Sequence, residues 1–372
     1  MKQETLKVLA VADPAVKGYL DKELGILDGY SEEVDFHIVP WEDYYSMMMK
    51  AFAGEADYDI VMVAGHLWLR DFVEKGYLSE IDYEEEDILP VIAEEMKYKG
   101  KTYLSPSFCD GHMILYRKSL LNQVLGKKPG SVMTPQEYIE MAKAYREAAR
   151  EQALAMKAHK SEIFTDALPF LRMYGGDAYD SGGQSICEKE EVIKGLQSYA
   201  ALKEYAVDGT EHFGNGEIAS AVREKRAVMA VTWSGQMGEV FKDGCLEPWD
   251  IGFSTFSTAW NVTWSFGICL SSGKKEAAQK FLEYLRSPDI DRKAGRKSGA
   301  PVRRASYEEG TKECPWFPVQ LQMMELASPL PHLSKAGEKN GILYEKIFQV
   351  FSGKKTAEEA MKEAVKEIDE VV

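Results

Sequence analysis

The stretch that decides the fold is Leu6-Lys7-Val8-Leu9-Ala10-Val11-Ala12-Asp13-Pro14, with its two echoes, Val34-Asp35-Phe36-His37-Ile38-Val39-Pro40 and Tyr58-Asp59-Ile60-Val61-Met62-Val63-Ala64-Gly65. The first and third are short apolar runs closed by Pro or Gly, the pattern of a buried strand, while in the second Val34, Phe36 and Ile38 alternate and Pro40 ends the strand. Between them, Val16, Tyr19, Leu20, Leu24 and Leu27 fall at helical spacing over 15–29, and a Met-rich segment over 42–54 ends at Gly54. The order β-α-β-α-β predicts a doubly wound open sheet. Ligands of such sheets sit beyond the carboxyl ends of the strands, where Asp13, Trp41 and Gly65-His66 fall.

Outward from this block, a helix is expected over 67–76, then an acidic stretch, Glu84-Glu85-Glu86-Asp87, read as a solvated loop. Residues 97–103 read as a hairpin with Lys99-Gly100 at the tip, and 112–118 as another strand. From 119 to about 243 the pattern is largely helical, with helical stretches expected over 153–173 and 191–206. Thr134-Pro135-Gln136-Glu137 is a strong helix start, with a capping residue, a first-turn Pro and a Glu three residues on. Strands are expected over 226–232, 249–256 and 263–270, and a helix over 274–286. The chain closes on an amphipathic helix capped by Thr356 and Glu359.

With 372 residues the chain is long for one core and suits two lobes. Its 45 Lys+Arg against 60 Asp+Glu give a formal charge of −15, which repels phosphate backbones and argues against a nucleic-acid partner. Five dispersed cysteines, without a C-x-x-C pair, read as mostly buried free thiols and not as a zinc or redox centre. The polar start Met1-Lys2-Gln3-Glu4-Thr5 lacks a signal-peptide core, so the chain is expected to be a mature receptor domain or a cytosolic protein. No window is apolar enough to span a membrane.

Catalytic signatures fail in turn. There is no H-E-x-x-H, no G-x-S-x-G, and no G-x-G-x-x-G after the first strand. Gly353-Lys354-Lys355-Thr356 has the tail of a phosphate loop without its first glycine. No metal site, cofactor or catalytic residue is expected. The tryptophans say more: Trp41, Trp233, Trp260 and Trp264 fall at strand ends or in loops. Indole faces stack on sugar rings while the N–H reaches a hydroxyl.

These residues also carry a resemblance. Tyr58-Asp59-Ile60-Val61-Met62-Val63 with Leu69 and Gly76-Tyr77-Leu78, then Tyr98-Lys99-Gly100-Lys101-Thr102-Tyr103-Leu104-Ser105-Pro106, resemble blocks of the family 1 extracellular solute-binding proteins, the group of the maltose-binding protein. Leu115-Tyr116-Arg117-Lys118, Thr134-Pro135-Gln136-Glu137, Ala227-Val228-Met229 with Trp233, Lys275-Glu276-Ala277-Ala278, and Gly353 through Met361 continue the family's order. The chain departs from the pattern at Thr134-Pro135, at Thr232 before Trp233, and in lacking an N-terminal lipid-attachment Cys.

The resemblance implies two α/β lobes of the periplasmic-binding-protein type, one of residues 1–109 plus 265–302, the other of 110–264 plus 303–372. It implies a monomeric, extracytoplasmic, non-enzymatic receptor, in the periplasm or lipid-anchored at the cell surface. Such a receptor closes by a hinge on a carbohydrate and delivers it to ABC permease subunits. The expected ligand contacts are Asp13, Trp41, His66 and Asp110 from the first lobe, and Tyr174, Trp233, Trp260 and Asn261 from the second, with Arg303 near the crossover. A Trp233→Ala change is expected to weaken binding and leave folding intact. The alternatives are a polyamine, a metal chelate, a sugar phosphate or another small polar solute on the same fold, a sensor subunit, and a carbohydrate-active enzyme.

Overall fold

A computed structural model describes residues 5–83, 86–126 and 128–371. The first four residues, and Glu84 and Glu85 of the acidic stretch, lie outside the described residues. The fold is α/β, with eleven described strands and many helices in two compact units.

Unit 1 comprises residues 1–110, 262–318 and 332–334. Its sheet runs β2 (Val34–Ile38), β1 (Leu6–Ala10), β3 (Ile60–Ala64) and β11 (Asn261–Ile268). The first three are parallel, with Leu6 opposite Val34 and Val8 opposite Ile60. β11 is antiparallel to β3, so Trp264 faces Ala64 at one end and Ile268 faces Ile60 at the other. β1 and β3 are buried on nearly every residue because helices cover the sheet, which is why they read as continuous apolar runs. The hairpin β4 (Lys97–Tyr98) and β5 (Lys101–Thr102) forms as expected, with Lys99 and Gly100 both at positive φ.

Unit 2 comprises residues 111–261, 319–331 and 335–372. Here β6 (Ser105–Arg117) pairs with β9 (Met229–Trp233) on one side and β10 (Ile251–Phe256) on the other. β10 continues to β7 (Val132–Met133), and β9 to β8 (Leu154–Ala155). The division between units falls inside β6 and at the start of β11. The second stretch of unit 1 runs to Pro318, sixteen residues beyond the expected 302, so Arg303 belongs to unit 1.

Both capping boxes form: Glu137 N–H donates to Thr134 Oγ1, and Glu359 N–H to Thr356 Oγ1. Two expected helices are cut short. The one over 15–29 stops at Tyr19, because Asp21 accepts from the Glu23 N–H and Gly25 takes φ 59°. The one over 153–173 begins only at Ile163, because Leu154 and Ala155 pair with β9. The strand expected over 112–118 is longer, thirteen buried residues from Ser105. A helix not read from the sequence, Ala336–Phe351, starts from Lys335 at φ 50° without a side-chain cap. In unit 2 the helices Ile163–Leu171 and Glu190–Ala201 approach closely at Gly195, where a Cβ would lie 2.2 Å from the Phe170 carbonyl oxygen. All five cysteines are free, four of them buried.

Candidate functional site

In unit 1 the strand order 2-1-3 puts the chain reversal between β1 and β3, and loops leaving the carboxyl ends there form the natural crevice. Asp13 follows β1, Trp41 follows β2 and His66 follows β3, so all three stand at one edge. Asp13 is the N-cap of the helix Pro14–Tyr19: its Oδ1 accepts the Val16 N–H at 2.7 Å, while the buried Oδ2 has no hydrogen-bond partner. Burial, with a contribution from the charge of nearby Asp110, lifts its pKa to about 7. A carboxyl with one tethered and one open oxygen, sealed from water, is disposed to accept a ligand hydroxyl.

Trp41 opens the helix Trp41–Phe52 with 52% of its surface exposed. Its ring lies against Trp68 (centroids 5.5 Å, planes at 28°) and meets Trp264 edge-on at 5.6 Å and 81°. His66 is half-buried, its Nδ1 has no hydrogen-bond partner, and burial together with His332 pushes its pKa down to about 3, so the imidazole is neutral. Asp110 is buried. Nearby, Thr263 donates to the buried Glu95 carboxylate at 2.6 Å.

Unit 2 holds a second polar group, almost wholly buried. His112 on β6 lies opposite Trp233 on β9, ring to ring at 4.2 Å, and Trp260 stands edge-on to His112 at 5.7 Å. Lys157, with no exposed surface, carries its Nζ 4.4 Å above the Trp233 ring, 3.5 Å from His112 Nε2 and 3.8 Å from Glu162. Asp166 sits 3.9 Å from His112 Nε2. Burial, offset by Lys157 and reinforced by Glu162, raises its pKa to about 7. Burial and then Lys157 hold His112 well below its ordinary range. Asp166 Oδ1, His112 Nδ1, Thr232 Oγ1 and the Trp260 Nε1–H have no hydrogen-bond partners. Unpaired buried polar atoms are costly, and four stand together here.

The nine expected contacts thus separate. Asp13, Trp41 and His66 share one edge of unit 1, with Asp110 beside Asp13. Trp233 and Trp260 share the His112 group of unit 2, and Asn261 adjoins Trp260 in the chain and is buried. Both indoles are buried, not open rims, at 9% and 1% exposure. An indole this buried packs in the core of unit 2, so a stability cost is expected on its loss, where the sequence reading expects folding to stay intact. Tyr174, about half exposed in the turn after the helix Ile163–Leu171, lies near Lys194, and no ring contact among the described residues ties it to His112. Arg303 is elsewhere. Its Nε donates to the Arg286 carbonyl and its Nη1 to the Glu86 carbonyl, both at 2.8 Å. It lines an 830 Å³ surface groove with Ser79, Ile268 and Lys275, toward the amino ends of the parallel strands, since Ile268 pairs with Ile60. That groove lies opposite the edge that holds Asp13 and Trp41.

Sequence reasoning missed Lys157, Asp166 and Trp68. The first two had a signal: a lysine inside Ala153-Leu154-Ala155-Met156-Lys157-Ala158, and an aspartate inside the apolar helix Ile163–Leu171. A charge embedded in an apolar run is either paired or functional. Among the described residues no group of His, Cys, Asp or Glu could hold a metal ion, and no helix is long and apolar enough to cross a membrane.

The chain is similar to known proteins. The family described as "Bacterial extracellular solute-binding protein" matches residues 28–291. A probable amino-acid ABC transporter periplasmic-binding protein of Sinorhizobium fredii is 24% identical over 196 residues, 51% of this chain and 46% of that protein. A mannitol-binding protein of Pseudomonas aeruginosa is 24% identical over 279 residues, 68% of this chain and 64% of that protein. The chain therefore spans about half to just under two thirds of the length of these relatives. Among solved structures, a maltose-bound T. maritima protein aligns over 99% of this chain and 100% of its own, with a TM-score of 0.86 at 21% identity. A Streptomyces glaucescens receptor, solved unliganded and with acarbose, covers 98% and 97% at a TM-score of 0.83 and 18% identity. A solute-binding protein of Agrobacterium vitis with bound D-mannitol covers 98% and 97% at 0.80 and 18%. At these identities the likeness is one of fold, and the fold is the two-lobed binding-protein α/β class expected from the sequence.

Proposed function

We propose that this chain, which belongs to the family of bacterial extracellular solute-binding proteins, captures a neutral polyhydroxylated solute, a sugar or sugar alcohol, and delivers it unaltered to the membrane subunits of an ABC importer. The observation that carries the solute class is the mixture of unpaired donors and acceptors. Within unit 2 the Trp260 N–H offers a donor, Asp166 Oδ1 and His112 Nδ1 offer acceptors, and Thr232 Oγ1 can serve as either. A hydroxyl donates one hydrogen bond and accepts others, so a row of hydroxyls satisfies such a set. The exposed Trp41, backed by Trp68, offers a flat apolar face for a ring.

On this reading Asp13, Trp41, His66 and Asp110 from unit 1, and Trp233, Trp260 and Asn261 from unit 2, serve the ligand. Lys157 and Asp166 join them, while Tyr174 and Arg303 do not. Hinge closure, in which the ligand shifts the equilibrium only through contacts it makes in the closed state, is part of the same proposal. So are binding without turnover and a place outside the cytoplasmic membrane.

A thermal-shift screen against sugars, sugar alcohols, amino acids and polyamines tests it. A ligand at about 100 times its dissociation constant adds about 2.7 kcal/mol to stability. A rise in melting temperature with a sugar or polyol, reduced in Trp41→Ala, is the expected result. A shift with an amino acid or a polyamine alone overturns the solute class.

A further inference from the structure

Helix Trp41–Phe52 carries a feature that a single bound sugar ring does not use. Tyr45 lies four residues after Trp41, so both rings project from one face, about 6 Å apart along the helix axis. Both are exposed, at 52% and 46%, among the few large hydrophobic side chains of the protein that are. Both are also held from beneath. Trp41 lies on Trp68 at 5.5 Å and 28°, and Tyr45 touches Trp68 at 5.8 Å and 41° and stacks on Phe72 at 6.4 Å and 24°. Trp68 and Phe72 are buried. The two outer rings are therefore braced by a fixed aromatic layer, and little conformational freedom remains to be lost when a ligand covers them.

The strip has a direction. Trp41 meets Trp264 edge-on, and Trp264 sits opposite Ala64 at the carboxyl edge of the sheet. From that edge the exposed aromatic surface continues along the helix to Tyr45. A monosaccharide stacked on Trp41 covers one ring of the pair, and a linear polyol offers no flat apolar face to either.

We propose that the ligand is a glycan of two or more sugar residues, with Tyr45 the stacking surface for the ring beyond the one at Trp41. This rests on the carbohydrate reading above and narrows it. Tyr45 then acts as a length selector: it leaves binding of the first ring alone and adds affinity only when a second is attached. One aromatic contact of this kind corresponds to a gain of roughly tenfold.

The test is calorimetric titration of the full chain with D-mannitol and with mono-, di- and trisaccharides of the glucose, mannose, galactose and xylose series. Within the series that binds, the disaccharide is expected to bind about tenfold more tightly than its monosaccharide. Tyr45→Ala removes that gain and leaves the monosaccharide affinity within about twofold, and Tyr45→Trp keeps the gain. The side chain is half exposed, and an unchanged melting temperature of the free variants checks that folding is preserved. A monosaccharide or mannitol that binds as tightly as any longer sugar overturns the inference and leaves the carbohydrate reading standing. So does a disaccharide gain that survives Tyr45→Ala. No binding anywhere in the panel overturns both.

Discussion

Replacing Asp13 with Asn keeps the helix cap and removes a buried acid. The Asn side-chain oxygen can accept the Val16 N–H as the carboxylate does, at little cost to capping. What changes is proton linkage. In the folded protein burial raises the Asp13 pKa from 3.8 to about 7, so between those values the folded state holds a proton that the unfolded chain has released. Stability from this group is greatest below pH 3.8, declines as the pH rises through the interval, and is level above pH 7. At 1.36 kcal/mol per pKa unit the full loss is on the order of 4 kcal/mol, with roughly 1–2 kcal/mol of it already lost at pH 5. Asn escapes this loss. Urea unfolding of both proteins from pH 4 to pH 8.5, read as the difference in free energy, cancels the groups they share, including Asp166 and the histidines. The difference is expected to favour Asp13→Asn increasingly as pH rises, and to level off above pH 7. A difference that is flat across the range, or largest at the acid end, refutes the claim that Asp13 is a buried acid with an unmatched oxygen.

Two further outcomes probe unit 2. Trp233→Ala opens a cavity beside His112 and removes the ring beneath Lys157 Nζ, so stability falls by about 3–5 kcal/mol, measured by urea unfolding; a loss under 1 kcal/mol places the indole in open space. Gly195→Ala sets a methyl against the Phe170 carbonyl and costs about 1–3 kcal/mol, whereas Gly216→Ala, with open space around its Cβ position, does not; equal effects of the two in matched melts contradict the close helix approach.

Where the sequence was legible, the reason is local chemistry. The apolar run closed by Gly65 reads as a buried strand, the alternation of Val34, Phe36 and Ile38 before Pro40 as a strand covered on one face, and Thr134 with Glu137 carries its own cap. The edge formed by Asp13, Trp41 and His66 followed from strand order alone, since ligand loops of a doubly wound sheet lie at carboxyl ends. Where reading failed, a distant partner decided. Leu154 and Ala155 look like the start of a helix until Met229 and Ala230 pair with them. Trp260 sits before a strand, as an open indole would, yet is buried against His112 and Trp233, which lie far off in sequence. Arg303 stands near the end of a lobe segment in the chain, but the carbonyls of Arg286 and Glu86 draw it to the opposite edge. Tyr45 carried no signal of its own, because only the packing of Trp68 beneath it separates a braced ring from an ordinary surface tyrosine.

The pairing of β3 with β11 has a kinetic consequence. Ala64 and Trp264 lie side by side in one ladder and about 200 residues apart along the chain. The sheet of unit 1 cannot close until the intervening segment, most of it unit 2, has been made and brought round. Loop closure over such a span is slow compared with the local pairings of β1, β2 and β3. On the ribosome or after dilution from denaturant, unit 2 can therefore collect most of its structure while β3 still presents an open edge. Refolding is then expected in two stages, and Trp264, the residue that docks last against Ala64, is a built-in fluorescent reporter of the second.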